Sequence, residues 1–325
     1  MTLRWGILST ARINDKFIAG CAGSDQVSVT SVASRDAARA RSYADEHGIE
    51  RAHGSYEALL ADPEVDAVYI SLPNALHLDW SRRALQAGKH VLCEKPLSRR
   101  RTDVVAAFDL AQQQDLILSE AFMYRHNPQT ERLVGLVADG AVGRLRLIRA
   151  AFGFALSLSD DVRMRAALEG GALMDVGCYC VNAVRLLAGE PERVTGQQVI
   201  GGDGVDVAFV GTLALADDVT AHFDAGFVFA PRSALEVVGE TGSLIVADPW
   251  HCATPGIELH TDEGVQTIAV PRADSYRLEA EDVAAAVRGE REPRLGRTDA
   301  VGQAATIAAL YTSAAGGATE VDRHG

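Results

Sequence analysis

The first third of the chain alternates two patterns that demand different elements. Short, uninterrupted apolar runs rich in β-branched residues stand at Trp5–Leu8, Val27–Ala33, Ala67–Leu72, His90–Cys93 and Leu116–Ser119. Between them, Ile13–Ala22, Ala37–His47, Tyr56–Leu60, Ala75–Ala87 and Arg101–Gln113 are amphipathic. A strand that is apolar along its whole length is buried on both faces, and parallel strands need a crossover between each pair. Helices supply those crossovers and cover both faces. The pattern therefore predicts an α/β unit over residues 1–123, a doubly wound parallel sheet, with turns at Asp62-Pro63-Glu64 and Ala87-Gly88-Lys89.

After Tyr124 the rhythm changes. Arg144–Leu156, Arg193–Ile200, Asp206–Leu215, Val219–Phe229, Ala234–Val246, Ile257–His260 and Val265–Val270 partly alternate polar and apolar residues, as half-exposed strands do. Strand follows strand, with glycine and acidic turns between, so the sheet is expected to be large and mainly antiparallel. Helices are expected at about Leu173–Leu187, Tyr276–Arg288 and Asp299–Ala315. Residues 124–325 thus read as a second domain, of α+β type. A length of 325 residues agrees with two domains.

Charge and cysteine content narrow the function classes. The chain carries 31 Lys+Arg against 44 Asp+Glu, a net charge of −13. Nucleic-acid binding needs a basic footprint, so no nucleic-acid partner is expected. No apolar run approaching the ~20 residues of a membrane span stands out, and the N-terminus enters a strand without a signal-peptide pattern. Five scattered cysteines suit a reducing cytoplasm better than a disulfide framework. Cys178 and Cys180 are two apart on an expected helix, so they point to different sides, and no metal site is expected.

A strand turning into a helix at Ser9-Thr10-Ala11-Arg12-Ile13-Asn14 lies where a dinucleotide fold puts its G-x-G-x-x-G loop, yet the stretch has no glycine. Ser9 and Ala11 are small enough to serve, and the Ser9 and Thr10 hydroxyls can donate to phosphate beside a helix N-terminus. Asn14 is bulky for the third position, which implies looser packing there. A bare strand–helix turn would meet the same pattern. The second strand ends in Ser34-Arg35-Asp36. NAD-selective folds place an acidic residue at this point, whereas a guanidinium suits a 2′-phosphate. With Ser34-Arg35 there, the expected cofactor is NADP.

Two further stretches end parallel strands, where open sheets bind ligands: Ser71-Leu72-Pro73-Asn74-Ala75-Leu76-His77 and Cys93-Glu94-Lys95-Pro96-Leu97. Together with Gly170-Gly171-Ala172-Leu173-Met174-Asp175-Val176-Gly177-Cys178-Tyr179, they resemble the glucose–fructose oxidoreductase/inositol dehydrogenase family, Gfo/Idh/MocA. The resemblance covers nearly the whole chain. Ser9–Ile13, Glu120-Ala121-Phe122-Met123-Tyr124-Arg125 and Tyr179 are similar to the branch holding NADP-dependent D-xylose dehydrogenases and dimeric dihydrodiol dehydrogenases.

The resemblance implies a Rossmann domain followed by an open-faced sheet, and hydride transfer between NADP and a carbinol or carbonyl carbon of a sugar or cyclic polyol. It implies Ser9, Thr10, Ala11, Arg12, Ile13, Ser34, Arg35, Leu72, Pro73, Asn74, His77, Glu94 and Lys95 at the cofactor. Lys95, Asp175 and Tyr179 are its catalytic residues. A lysine of pKa ~10.4 is a poor base when exposed, and burial beside a nicotinamide cation would favour its neutral form. Asp175 and Tyr179, four apart, share one helix face, and Gly170-Gly171 allow close approach to the cofactor. The phenol either shares the proton relay with Lys95 or donates to the developing alkoxide. Tyr124, Arg125, Asp161, Arg163 and Asn182 are implied at the substrate. His126-Asn127 replace a Phe-His expected before Pro128, which leaves the substrate open. Reduction of a nucleotide-linked keto-sugar, transient oxidation in glycoside cleavage, and non-catalytic NADP sensing are the alternatives. The open sheet face implies a homo-oligomer, a dimer before a tetramer.

Overall fold

The computed structural model describes residues 2–156 and 161–316. It divides into two compact units, Met1–Glu131 with Arg272–Ala304, and Arg132–Pro271 with Ala305–Gly325. A single cut at residue 124 therefore does not describe the chain.

The first unit contains β1 (Leu3–Leu8), α1 (Asn14–Ala22), β2 (Val27–Ala33), α2 (Ala37–His47), β3 (Arg51–His53), α3 (Tyr56–Leu60), β4 (Ala67–Ile70), α4 (His77–Gln86), β5 (His90–Glu94), α5 (Arg101–Gln113) and β6 (Leu118–Ala121). All six strands are parallel, in the order β3-β2-β1-β4-β5-β6. The order reverses beside β1, so the carboxyl ends of β1 and β4 flank the switch point where such sheets bind ligands. β4 is buried at every residue, as its apolar run requires. Trp5, Phe17 and Tyr69 stack through the core: Phe17 lies parallel to Tyr69 at 4.1 Å and edge-on to Trp5 at 5.4 Å. Each fully buried Phe, Leu or Ile contributes roughly 1.5–3 kcal/mol.

After α6 (Pro128–Ala138), the second unit builds β7 (Leu145–Ala155), α7 (Cys178–Ala188), β8 (Arg193–Ile200), β9 (Asp206–Ala214), β10 (Thr220–Gly226), β11 (Val228–Gly239), β12 (Gly242–Val246), β13 (Ile257–Thr261) and β14 (Gly264–Ile268). The eight strands run β14-β13-β12-β11-β7-β10-β9-β8. Only the β10–β7 pair is parallel. In β9, Phe209, Gly211 and Leu213 are buried while Val210 and Thr212 are exposed, the period-2 alternation of a sheet with one open face. The stretch 166–188 has the length and apolar composition of a membrane span, contrary to the sequence expectation, but most of it is buried.

Two helices close the chain, α8 (Ser275–Val287) and α9 (Arg297–Ala315). α8 returns to the first unit because its Ala280, Val283 and Ala284 complete the core around Trp5, Phe17 and Val32. No local pattern announces that return.

Candidate active site

The glycine-free loop behaves as a glycine loop would. Ser9 has a φ of 140°, a region that favours glycine and costs another residue about 1–3 kcal/mol. Side chains hold it there. The Ser9 hydroxyl lies 2.7 Å from the Ser71 hydroxyl, and the Ala11 amide donates to it at 3.1 Å. Asn14 donates to the Ser9 carbonyl at 3.1 Å and accepts from Ser71 at 2.5 Å. Two expectations are corrected. The Ser9 hydroxyl is turned inward as a clasp between β1 and β4, and Asn14, fully buried, tightens the turn that its bulk was expected to loosen. Thr10, Ala11, Arg12 and Ile13 remain accessible at the head of α1, where helix amides and dipole favour a phosphate.

At the end of β2, Ser34 is buried and the Asp36 amide donates to its hydroxyl at 3.3 Å. Asp36 caps α2, accepting from the Arg39 amide at 3.0 Å. Arg35 is exposed and hydrogen-bonds the Tyr56 phenol, whose proton affinity burial raises and Arg35 and Arg39 lower. The exposed Arg39 donates to the Thr10 hydroxyl at 2.7 Å. Arg39 escaped the sequence reading. Arg35 precedes the helix cap, so no helical spacing linked the two, and the Thr10 partner of Arg39 lies 29 residues away.

The two strand-end motifs are tied together by His77. Its Nδ1 lies 2.9 Å from the Pro96 carbonyl and its Nε2 2.7 Å from the Leu72 carbonyl. His77 is 1% exposed, so it braces both loops from within, and of the residues between, Leu72 is buried while Pro73 and Asn74 are half-buried. Glu94 accepts from the buried Tyr69 phenol at 2.5 Å. Burial, and then the Glu94 charge, push that phenol far above its usual range. Lys95 follows, half-buried, on a cis bond to Pro96. Glu120 accepts from the Leu97 amide at 2.7 Å and fixes the loop's exit.

Tyr124 and Arg125 lie in a buried 3₁₀ turn, Met123–His126. Arg125 donates to Asp299 at 3.3 Å. His126 and Asn127 are buried too, His126 beside Asp282 at 3.9 Å and Asn127 donating to Ser275 at 3.0 Å. Both residues of this departure from the family pattern thus pack against α8.

In the second unit, Asp161, Arg163 and Asp175 come together. Arg163 grips Asp161 with two bonds, of 2.8 and 2.7 Å, and reaches Asp175 at 3.5 Å. Its guanidinium also stands over Phe154 and Phe227, 5.3 and 5.9 Å from the ring centroids. Asp175 sits in a π-helical turn, Leu173–Gly177, that leads into α7. Such turns concentrate at functional sites. Tyr179 packs edge-on to Phe152 at 5.4 Å and against Trp250 at 5.9 Å. Asn182 is fully buried one turn further on. The two glycines before the turn accommodate this chain's own atoms: a Cβ on Gly170 would come 2.2 Å from the Arg163 carbonyl, and one on Gly171 2.2 Å from Asp206.

Residues 3–122 match the oxidoreductase family with an NAD-binding Rossmann fold, and residues 130–245 match the C-terminal domain of the same family. The chain belongs to the Gfo/Idh/MocA family. It is 41% identical to D-xylose 1-dehydrogenase (NADP(+)) 2 of Haloferax volcanii, over 98% of this chain and 100% of that protein. It is 36% identical to trans-1,2-dihydrobenzene-1,2-diol dehydrogenase of Danio rerio, over 78% of this chain and 77% of the relative. Among solved structures, a 3-ketoreductase from Actinomadura kijaniata in complex with NADP and TDP-benzene aligns with a TM-score of 0.90 at 32% identity, covering 96% of this chain and 98% of that one. A Gfo/Idh/MocA member is an oxidoreductase whose first unit takes a nicotinamide dinucleotide.

Proposed function

We propose that this Gfo/Idh/MocA protein is an NADP-dependent oxidoreductase acting on a carbinol or carbonyl carbon of a sugar or cyclic polyol. One observation carries the choice of cofactor. Two exposed arginines meet at the end of β2, Arg39 donating to the Thr10 hydroxyl and Arg35 at the Tyr56 phenol, while Asp36, the acid that could accept from a ribose, caps α2. Two guanidinium groups at this point suit a 2′-phosphate. Thr10, Ala11, Arg12 and Ile13 would hold the pyrophosphate, with Ser34 at the ribose and Leu72, Pro73, Asn74 and Glu94 toward the nicotinamide. The nicotinamide, when bound, supplies the site that accepts or returns hydride.

The protein's own residues supply the rest. Lys95 takes the hydroxyl proton as the carbonyl forms and returns it in the reverse direction. Asp175 accepts from a substrate hydroxyl, and the Tyr179 phenol donates to the reacting oxygen. Arg163 pairs with the Asp175 carboxylate, while Asp161 offers acceptors to a polyol. Residues up to 123 are the NADP-binding part, aided by α8, and the second unit serves substrate and oligomer. Five buried free thiols support a reducing, cytoplasmic setting, and the open sheet face supports a homodimer. The structural likeness to a 3-ketoreductase favours a second reading, reduction of a keto-sugar.

The test is parallel titration with NADPH and NADH. NADPH should bind at least tenfold more tightly, and Arg39→Ala or Arg35→Asp should each erase about 10–100-fold, the worth of one charge-assisted bond. Equal affinities in the unaltered protein would end the NADP assignment. An aldose and polyol panel with NADP, and a keto-sugar panel with NADPH, separate the two readings.

A further inference from the structure

Asp206 has no part in the reaction as described. It opens β9 and is 2% exposed. One carboxylate oxygen accepts from the Leu173 amide at 2.7 Å, and the other accepts from the Tyr311 phenol at 2.8 Å. Leu173 is the first residue of the π-helical turn that carries Asp175. Helix starts leave amides without intrahelical partners, and the residue at the capping position here, Ala172, has no side-chain hydrogen bond to offer. The acceptor is brought in from 33 residues away. Gly171, at a φ of +121°, gives up its Cβ to make room for that carboxylate. On the far side Tyr311 is held edge-on by Phe209, 5.7 Å between centroids. Two separate segments, β9 and α9, are thus linked to the first amide of one turn.

We propose that Asp206 and Tyr311 are a positioning pair: their bridge to the Leu173 amide sets where the turn begins, and so which way Asp175 and Tyr179 face. A helix rotates its side chains by roughly 100° per residue, so a start slipped by one residue would carry Asp175 off its side of the helix. The kinetic consequence rests on the oxidoreductase reading; the clamp itself does not.

The bridge is also sensitive to acid. The groups facing Asp206 are the Tyr311 phenol from α9, the Ala172 and Leu173 amides from the turn, and its own amide on β9. Burial raises the carboxyl to about 6, against these bonds, which lower it. A neutral carboxyl holds an amide about half as strongly as a carboxylate does, so the turn loosens as pH falls through that value.

Three variants test this, by hydrogen exchange of the 170–180 segment and by steady-state kinetics against pH. Asp206→Asn can still accept from Leu173 and donate to Tyr311 without a charge. It should hold kcat and segment exchange near the parent's low-pH level at every pH, and so lose the acid limb near pH 6. Asp206→Ala removes the bridge; Tyr311→Phe, which deletes one hydroxyl from an otherwise intact core, loosens it. In both, amides 173–177 should exchange about tenfold faster or more, as loss of a charge-assisted bond implies. In both, kcat should fall roughly 10–100-fold, the cost of a small misplacement, with NADPH affinity unchanged. Unchanged exchange in both would overturn the clamp. Faster exchange with unchanged kcat and pH profile would reduce Asp206 to a structural residue and overturn the positioning role. If the unaltered protein turns over no sugar or polyol, the oxidoreductase reading fails, and the exchange arm still decides the clamp.

Discussion

A primary amine is a base only when neutral, and an exposed lysine at neutral pH is not. The assignment of proton transfer to Lys95 therefore depends on its setting: half-buried at the end of β5, with Glu94 before it bonded to Tyr69 and Pro96 after it braced by His77. Lys95→Met keeps the stem and removes the amine. It should lower kcat by roughly 10²–10⁴, the usual worth of general acid–base catalysis, while NADPH titration still shows binding. A Lys95→Met enzyme with parental kcat would move the proton to Tyr179. At this scale the sequence located positions better than roles. Ser9 was legible as a loop residue, but not that its hydroxyl faces inward to Ser71. His77 was legible as part of a motif, but not that its ring is held between two backbone carbonyls. Such roles depend on partners outside the motif itself: Ser71 is 62 residues from Ser9, and Pro96 is 19 from His77.

Among elements, α8 carries the least expected chemistry. Glu279 on its inner face is completely buried, and among the described residues neither carboxylate oxygen has a hydrogen-bond partner. Burial, then the charges of Glu94 and Asp282, raise its carboxyl well above the usual range. The folded state therefore keeps a proton that the unfolded chain releases near pH 4.5. Stability from this residue is complete below that pH and drains away as pH rises toward the folded value, by up to about 1.4 kcal/mol per unit. Glu279→Gln should match the parent in urea unfolding near pH 4 and exceed it at pH 8. Parallel stability curves across that range would show that Glu279 ionises freely in the fold. The parallel strands were legible because a strand buried on both faces is apolar throughout. β3 was not, since Arg51–His53 carries almost no apolar signal. Ala234–Val246 read as one strand, yet it turns between Gly239 and Gly242 into β11 and β12. The π-helical turn had no signature at all, and the carboxylate that meets its first amide, Asp206, lies on another element.

On the scale of the whole molecule, the open face of the eight-stranded sheet and the net charge pull against each other. Val199, Val210 and Val228 are 60, 48 and 61% exposed on neighbouring or nearby strands of that sheet, more apolar surface than a strand facing only water needs. A second copy of the chain would cover it. Each copy also carries a net charge of −13, so two copies would repel at long range, while a contact through these valines would be apolar, the charges beside them being paired within each chain as Arg149–Glu236 and Arg232–Asp224. Salt screens the first effect over a Debye length of about 10 Å at 0.1 M and leaves the second nearly untouched. Self-association should therefore strengthen as salt rises, the reverse of a contact built on ion pairs. Sedimentation equilibrium should give twice 34.6 kDa, with a dissociation constant that falls between low and moderate salt. Val210→Glu, placed on the exposed side of β9 where the fold does not need it, should shift the protein toward monomer without changing its unfolding midpoint. A 34.6 kDa species at every salt concentration would mean that the sheet face meets only water. Association that weakens with salt would move the interface to charged residues elsewhere on the surface.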